Sequence, residues 1–268
     1  MKVRLDQYLV DNGLAENRSK AKLYISGQKQ VYVNNKLINK AGFSVSESDI
    51  VKVTDVEKEF VSRAGLKLHK AIKEWTIDLN NKVCLDIGAS TGGFTQCCLE
   101  NHAQKVFAVD VGTDQLHWSL KANSRVVNIE KYNFRNAQKA DFNEAIDFFC
   151  CDVSFISVAK ILAPLTLIVE DNAQGVILIK PQFESELFEV KNGKVNSKVV
   201  HLKAITKVIN YANSCGFDIT ALDYSPITGN KKQNIEYLAF LTKTTSPKTK
   251  WTNNQIETIV NCAWKALF

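Results

Sequence analysis

Hydrophobic and polar positions alternate along the chain in two patterns. Short, almost wholly apolar runs have the length of strands buried on both faces of a parallel sheet, and segments with helical spacing stand between them. In the helix predicted from Gly65, Leu68, Ile72 and Trp75 fall at i, i+4 and i+7. The apolar runs cover residues 83–85, 105–112, 148–151 and 175–180. This alternation predicts an α/β fold built on a Rossmann-like, doubly wound sheet.

The end of the chain departs from strict alternation. Residues 219–226 and 236–243 predict a closing antiparallel pair of strands, linked by a turn through Gly229 and Asn230. Before this pair, residues 184–198 combine mixed charges with a glycine, a composition that suits a mobile lid over a cleft.

The first part of the chain has the pattern of a separate, smaller α/β unit. Helices are predicted at residues 5–12 and 19–28, and strands at 31–35 and 50–53. Asn17 is the expected N-cap of the second helix, and Gly27 marks its end. The connector at residues 55–63 has neither a helical nor a strand period. We therefore predict a small domain at residues 1–58 and a large one at 59–268.

Positive charge is concentrated in the small unit. The whole chain carries a formal net charge of +6, and residues 17–46 contain six basic side chains and no Asp or Glu. These side chains are Arg18, Lys20, Lys22, Lys29, Lys36 and Lys40. One compact basic module is typical of a nucleic-acid-binding surface, although a solvated basic face has the same composition.

Composition excludes several classes of protein. At 268 residues and 45% hydrophobic content the chain can bury a sizeable core. It contains no apolar run long enough for a membrane span and no secretory signal pattern, so we expect a cytoplasmic protein. The seven cysteines form no C-x-x-C pair, and the four histidines are scattered, so we expect reduced thiols and no metal site.

Residues 82–95, KVCLDIGASTGGFT, combine a buried strand, an acid at its end and a glycine-rich turn that opens a helix. The spacing of Gly88, Gly92 and Gly93 differs from the G-x-G-x-x-G of pyrophosphate binders. It favours a nucleoside cofactor, which we interpret as S-adenosylmethionine, over an ordinary βα turn. Asp110 ends the next strand about twenty residues later, where an acid can accept both ribose hydroxyls. These features do not by themselves separate S-adenosylmethionine from NAD.

Other strands also end in charged side chains that can take part in proton transfer. Asp152 and Lys180 follow two apolar runs, and Lys67 and Glu236 stand where they could reach the same rim. Two lysines and two carboxylates suit the methylation of an alcohol, whose hydroxyl must be oriented and deprotonated. Either Lys180 takes the proton, or it stays charged and steers the oxygen while Asp152 accepts from the hydroxyl. A set of strand-end salt bridges is the alternative.

Two resemblances bear on these alternatives. RLDQYL, NRSKAKLYISGQKQVYVNN and SESDIVKV resemble the RNA-binding module named after ribosomal protein S-four, which implies RNA contacts at Arg18, Lys20, Lys22 and Lys29. VSRAGLKL, CLDIGASTGGFTQCCL, CDVSFIS, LIKPQFE and GNKKQNIEYLAFL resemble the TlyA family of RNA 2′-O-methyltransferases, which is related to the FtsJ-type enzymes. The second resemblance implies a catalytic tetrad of Lys67, Asp152, Lys180 and Glu236, and ribosomal RNA as the substrate, at a cytidine ribose.

The cofactor site implied by the resemblance centres on the glycine-rich turn and Asp110. The residues expected there are Asp86, Gly88, Ala89, Ser90, Gly92, Gly93, Phe94, Asp110, Asn133 and Phe134, the last two by position only. A noncatalytic rRNA-binding or ribosome-assembly protein, a membrane-active haemolysin and an NAD-dependent oxidoreductase remain as alternatives. Ribosomal RNA or a ribosomal subunit is the expected partner.

Overall fold

The computed structural model describes residues 2–46, 48–55, 59–229 and 233–267. The chain divides into two compact units, Met1–Glu59 and Phe60–Phe268. Residues 56–58 of the predicted connector, and with them the predicted boundary after residue 58, lie outside the described residues, as does Asn230 of the predicted last turn.

The N-terminal unit packs two helices against short antiparallel strands. Its elements are β1 (Lys2–Arg4), α1 (Leu5–Asp11), α2 (Arg18–Leu23), β2 (Lys29–Val33), β3 (Lys36–Leu37), β4 (Ser44–Ser46) and β5 (Val51–Asp55). Strand β1 pairs with β4, and β2 pairs with both β3 and β5. Leu5, Leu9 and Ile25 are buried in its apolar core.

Helix α2 begins as predicted but ends early. The side chain of Asn17 accepts a hydrogen bond from the Lys20 N–H, as an N-cap residue does. The prediction of one helix over residues 19–28 is wrong, because the α-helix ends at Leu23 and a π-helical turn follows over Tyr24–Gln28. Within that turn Gly27 has φ +126°, a conformation that turns the chain into β2.

The C-terminal unit contains a seven-stranded sheet covered by helices. Its strands are β6 (Val83–Ile87), β7 (Lys105–Val109), β8 (Val126–Ile129), β9 (Phe148–Cys151), β10 (Gln174–Ile179), β11 (Phe217–Tyr224) and β12 (Tyr237–Lys243). Its α-helices are α3 (Gly65–Glu74), α4 (Gly93–Glu100), α5 (Trp118–Lys121), α6 (Ala159–Ile168), α7 (Pro181–Glu184), α8 (Lys198–Ser214) and α9 (Asn253–Leu267). The strand order is β11-β12-β10-β9-β6-β7-β8, which confirms the predicted Rossmann-like fold class.

Strand β12 runs in the opposite direction to both of its neighbours. It pairs antiparallel with both β10 and β11, which confirms the predicted closing pair, whereas β10, β9, β6, β7 and β8 are mutually parallel. The carboxyl ends of β6, β9 and β10 therefore meet at one edge, and the antiparallel β12 begins at that same edge. Gly88, Asp152, Lys180 and Glu236 follow or precede these strand ends directly.

Two apolar clusters pack on the faces of the sheet. Side chains of β6 alternate between them, so that Leu85 and Ile87 belong to one cluster and Cys84 to the other. In the described parts of the chain, no helix has the length and apolar character that crossing a bilayer requires. The same residues hold no group of three or more His, Cys, Asp or Glu side chains suited to a metal ion.

Candidate active site

Four charged side chains meet at the strand edge described above. Lys67 Nζ lies 2.9 Å from Asp152 Oδ2 and 2.6 Å from Glu236 Oε2. Lys180 Nζ lies 2.6 Å from the other Asp152 oxygen, Oδ1. The structure thus brings all four predicted tetrad residues together, in a continuous chain of ion pairs from Glu236 through Lys67 and Asp152 to Lys180.

The tetrad is largely withdrawn from solvent. Lys67 and Lys180 are each 6% exposed, and Glu236 is 3% exposed. Lysine is almost never buried to this degree without a charged partner, and here each lysine has at least one carboxylate. Lys67 lies in the first turn of α3, off the apolar stripe of that helix, and its side chain enters the cleft rather than solvent.

The ion pairs fix the charge of the central residues. Burial would lower the pKa of Lys67, but the charges of Asp152 and Glu236 outweigh burial and raise that pKa above its usual value. Burial would likewise raise the pKa of Asp152, but Lys67 and Lys180 lower it. Both groups are therefore ionised at neutral pH, so Lys67 is a charged anchor for the two carboxylates and not a proton acceptor.

Two further residues of the site were not predicted from the sequence. The Lys180 ammonium donates a hydrogen bond of 2.9 Å to Ser154 Oγ. The next residue, Phe155, has φ +66° and leaves its side chain 91% exposed. Its ring lies 5.5 Å from that of Phe183. The only signal of this turn in the sequence was an aromatic residue between two serines, shortly after the strand-end acid Asp152.

Two cavities adjoin the tetrad. The larger, about 870 Å³, is within the range of small-molecule sites. Its lining includes five of the predicted cofactor residues: Gly88, Ser90, Asp110, Asn133 and Phe134. The smaller, about 480 Å³, is lined by the whole tetrad together with Ala89 and Phe94. Gly88, Ser90, Asp152 and Ser154 line both cavities, so the tetrad borders the larger cavity directly.

The larger cavity has features that fit a nucleoside. Gly88 has φ +81°, and a Cβ there would lie 3.0 Å from the Asp152 carbonyl oxygen, so this left-handed conformation and close approach of two segments of the chain favour glycine. Asp110 accepts backbone N–H groups from Ser90 at 2.8 Å and from Gly112 at 2.7 Å, one on each carboxylate oxygen. Each carboxylate oxygen can accept more than one hydrogen bond, so Asp110 can still accept hydrogen bonds from ribose hydroxyls.

Three predicted cofactor residues, Asp86, Gly92 and Gly93, lie outside the lining of both cavities. Asp86 is fully buried and accepts a hydrogen bond of 2.6 Å from Thr95 Oγ1. Burial raises its pKa to about 7, against the opposing hydrogen bond from Thr95. The alternation of side chains along β6 explains its place, because Asp86 points to the same face as Cys84.

The two glycines are required by packing. A Cβ on Gly93 would lie 2.4 Å from Ser62 Oγ and 2.8 Å from the Gly65 backbone nitrogen. Gly92 has φ +96°, and its Cβ would lie 2.3 Å from a Leu120 methyl group. These glycines let α4 begin against its neighbours, and they hold the turn on which Gly88 and Ser90 are placed.

The predicted RNA contacts of the N-terminal unit differ in their surroundings. Arg18 donates a hydrogen bond of 3.0 Å to the buried Asp6, which Arg4 also contacts. Burial would raise the pKa of Asp6, but the two arginines lower it to about 2. Arg18 therefore also stabilises the fold of this unit. Lys20 and Lys22 lie in the last turn of α2, and Lys29 Nζ lies 5.0 Å from the centre of the Tyr24 ring.

Comparison with known proteins assigns the two parts of the chain. The profile of the family described as FtsJ-like methyltransferase matches residues 60–243, and that of the S4 domain matches residues 3–51. The chain belongs to the FtsJ-like methyltransferase family. The profile match includes the glycine-rich turn and all four tetrad residues of the FtsJ-like unit.

Relatives of this FtsJ-like protein carry two kinds of name. The 16S/23S rRNA (cytidine-2′-O)-methyltransferase TlyA of Mycobacterium tuberculosis is 35% identical over 90% of this chain and 90% of the relative. Hemolysin A of Brachyspira hyodysenteriae is 43% identical over 88% of this chain and 98% of the relative. A solved structure from Streptococcus thermophilus, provisionally named a hemolysin, is 40% identical, covers 99% of this chain and 96% of its own, and has a TM-score of 0.76. The mycobacterial relative confirms the predicted resemblance to the TlyA family.

Proposed function

We propose that this FtsJ-like protein methylates the ribose 2′-hydroxyl of a cytidine in ribosomal RNA, with S-adenosylmethionine as the methyl donor. The observation that carries the proposal is the continuous Glu236–Lys67–Asp152–Lys180 ion-pair chain beside a cavity that fits a nucleoside. The name of the mycobacterial relative supports cytidine and the ribose oxygen as the acceptor.

The cofactor would be held by the larger cavity. The turn of Gly88 and Ser90 would contact the cofactor through its backbone. Asp110 would accept hydrogen bonds from the ribose hydroxyls, and Asn133 and Phe134 would border the adenine base. When bound, S-adenosylmethionine supplies a methyl group on a positively charged sulfur. The protein's own contribution is to place an oxygen nucleophile in line with that methyl group and to remove its proton.

Lys180 and Asp152 would orient and deprotonate the acceptor hydroxyl. The Lys180 ammonium donates toward the oxygen and fixes the direction of its lone pair, while Asp152 accepts the hydroxyl hydrogen. As the oxygen forms its new bond, its proton becomes strongly acidic, so even a carboxylate of lowered pKa can take it. Lys67 and Glu236 keep Asp152 ionised and oriented until that moment.

The acceptor nucleotide would enter at the exposed end of the site. Phe155 presents a 91% exposed ring at the mouth of the larger cavity, and aromatic faces stack on unpaired bases. We assign RNA docking to residues 1–58, with Lys20, Lys22 and Lys29 on phosphates, and methyl transfer to residues 59–268. The S4 match and the basic composition support the first assignment. A ribosomal RNA substrate would place the protein in the cytoplasm.

Transfer of labelled methyl groups to ribosomal RNA or ribosomal subunits tests the proposal. Lys180→Ala should abolish transfer while its S-adenosylmethionine affinity, measured by calorimetry, stays near that of the wild type. Lys139→Ala is the matched control, because Lys139 pairs with Glu170 at the surface, with 61% of its side chain exposed. RNA binding without transfer to any rRNA would favour a noncatalytic assembly protein. Binding of NAD in place of S-adenosylmethionine would favour an oxidoreductase, and lysis of cells by the purified protein would favour a haemolysin.

A further inference from the structure

The turn that carries Ser154 and Phe155 is held by a residue outside the tetrad. Phe155 has φ +66°, a left-handed conformation in which a bulky aromatic residue is an outlier. Such a conformation persists where surrounding contacts enforce it. At the far end of this turn, one buried side chain from another element, Glu184, bonds to both Ser157 and Val158.

Glu184 makes two short hydrogen bonds where the turn ends and α6 begins. Its Oε2 accepts from Ser157 Oγ at 2.5 Å, and its Oε1 accepts from the Val158 backbone N–H at 2.7 Å. The residue is 3% exposed, and burial raises the pKa of its carboxyl. A carboxyl group this buried is costly unless its hydrogen bonds are made, so the two bonds to the turn should persist in the folded protein.

Glu184 also belongs to the segment that carries Lys180. It is the last residue of α7, and Lys180 is the N-cap of the same short helix. Its backbone oxygen accepts from Lys207 Nζ at 2.9 Å, which ties α7 to α8. The segment that follows β9 and the segment that follows β10 are thus in contact along the turn: Lys180 bonds to Ser154 near the tetrad, the Phe183 ring lies beside Phe155, and Glu184 bonds to Ser157 farther along.

We propose that Glu184 is a positioning residue that holds the turn 153–157 in its strained shape, and so keeps Ser154 on the Lys180 ammonium and the Phe155 ring exposed at the cavity mouth. Glu184 lines neither the tetrad cavity nor the larger cavity, so it acts through the turn and not on the substrate. The proposed effect on catalysis rests on the proposed methyltransferase function. The proposed effect on the turn does not.

Hydrogen exchange of the Val158 amide tests the positioning role without any assay of activity. Glu184→Ala should speed exchange at Val158 by at least about tenfold, since its acceptor is lost. Glu184→Gln keeps a carbonyl acceptor and should retain most of the protection. Glu170→Ala, which removes a surface carboxylate paired with Lys139, is the control and should change nothing at Val158. Unchanged exchange in Glu184→Ala would overturn the proposal.

A double-substitution cycle separates positioning from simple capping of α6. Asn tolerates left-handed φ far better than Phe, so in a Phe155→Asn background the turn should depend less on Glu184. The effect of Glu184→Ala on Val158 exchange should then shrink severalfold. An equal effect in both backgrounds would show that Glu184 only caps α6, and would refute the positioning role.

Kinetics give the functional readout. Glu184→Ala should lower kcat by about tenfold to a hundredfold, the cost of a small misplacement of catalytic groups, with little change in S-adenosylmethionine affinity. Glu184→Gln should restore most of the activity. A uniform loss of affinity, activity and thermal stability would indicate a merely structural role. If the wild type transfers no methyl group to any rRNA, the proposed function fails, while the exchange experiments still decide the role of Glu184.

Discussion

Replacing Asp86 by Asn should remove a large part of the pH dependence of stability. Asp86 is fully buried in β6, and burial raises the pKa of its carboxyl from 3.8 to about 7, with the charge of Asp152 adding to the rise and the hydrogen bond from Thr95 opposing it. The difference between these two pKa values corresponds to about 4 kcal/mol.

The direction of the pH effect on stability follows because the folded state binds the Asp86 proton more tightly than the unfolded state does. Between pH 3.8 and about 7 the folded state keeps the Asp86 proton that the unfolded state has lost, so the free energy of unfolding falls as the pH rises through this window. Asn keeps an acceptor for Thr95 and carries no charge, so this loss does not occur in Asp86→Asn. The stability of the variant relative to the wild type should grow by about 2 to 3 kcal/mol between pH 5 and pH 8.5.

Urea unfolding across this pH range measures the effect. Asp171→Asn is the matched control, because the Asp171 side chain is 73% exposed, and its stability should follow the wild type at every pH. Parallel pH profiles for wild type and Asp86→Asn would refute the reasoning. Since Asp86 lines neither cavity, the S-adenosylmethionine affinity of the variant should stay within about twofold of the wild type.

Three further predictions concern other parts of the molecule. Burial lowers the pKa of His201 from 6.5 to about 4, so stability should fall by about 3 kcal/mol as the pH drops through this window, and urea unfolding of His201→Gln should lack that fall. Gly93→Ala should lower the free energy of unfolding by about 1 to 3 kcal/mol, since its Cβ would overlap Ser62 and the Gly65 backbone; unchanged thermal stability would contradict this. Replacing three N-terminal lysines by Gln should reduce the salt dependence of RNA binding, as the slope of log K against log salt, by about 2, and an equal slope would argue against phosphate contacts. These lysines are Lys20, Lys22 and Lys29.

The fold could be predicted from the sequence because its signals are local. Apolar runs of strand length, separated by helical patterns, indicated the parallel sheet, and the position of each polar residue at the end of a run indicated which side chains would share an edge. Asp152 and Lys180 were found in this way. Lys67 was harder to assign, because its partners Asp152 and Glu236 lie 85 and 169 residues away along the chain.

Other features of the site could not be predicted, for physical reasons. Both faces of β6 are apolar, so no polar face in the sequence showed that Asp86 points to the Cys84 side and away from the cavities. Gly92 and Gly93 stay predicted cofactor contacts; the sequence did not show that their closest packing neighbours are Leu120 and Ser62. The exposure of Phe155 depends on its left-handed backbone conformation, which hydrophobic periodicity does not predict. It also depends on the hydrogen bond between Ser157 and Glu184, a residue that lies beyond the next strand, β10.

Nucleoside analysis of ribosomal RNA tests the central claim most directly. RNA treated with the wild-type protein and S-adenosylmethionine would be digested to nucleosides and examined by mass spectrometry, beside RNA treated with Lys180→Ala and with Lys139→Ala. The account predicts 2′-O-methylcytidine with the wild type and Lys139→Ala, and none with Lys180→Ala. A methyl group on a base, or equal ribose methylation by Lys180→Ala, would contradict it.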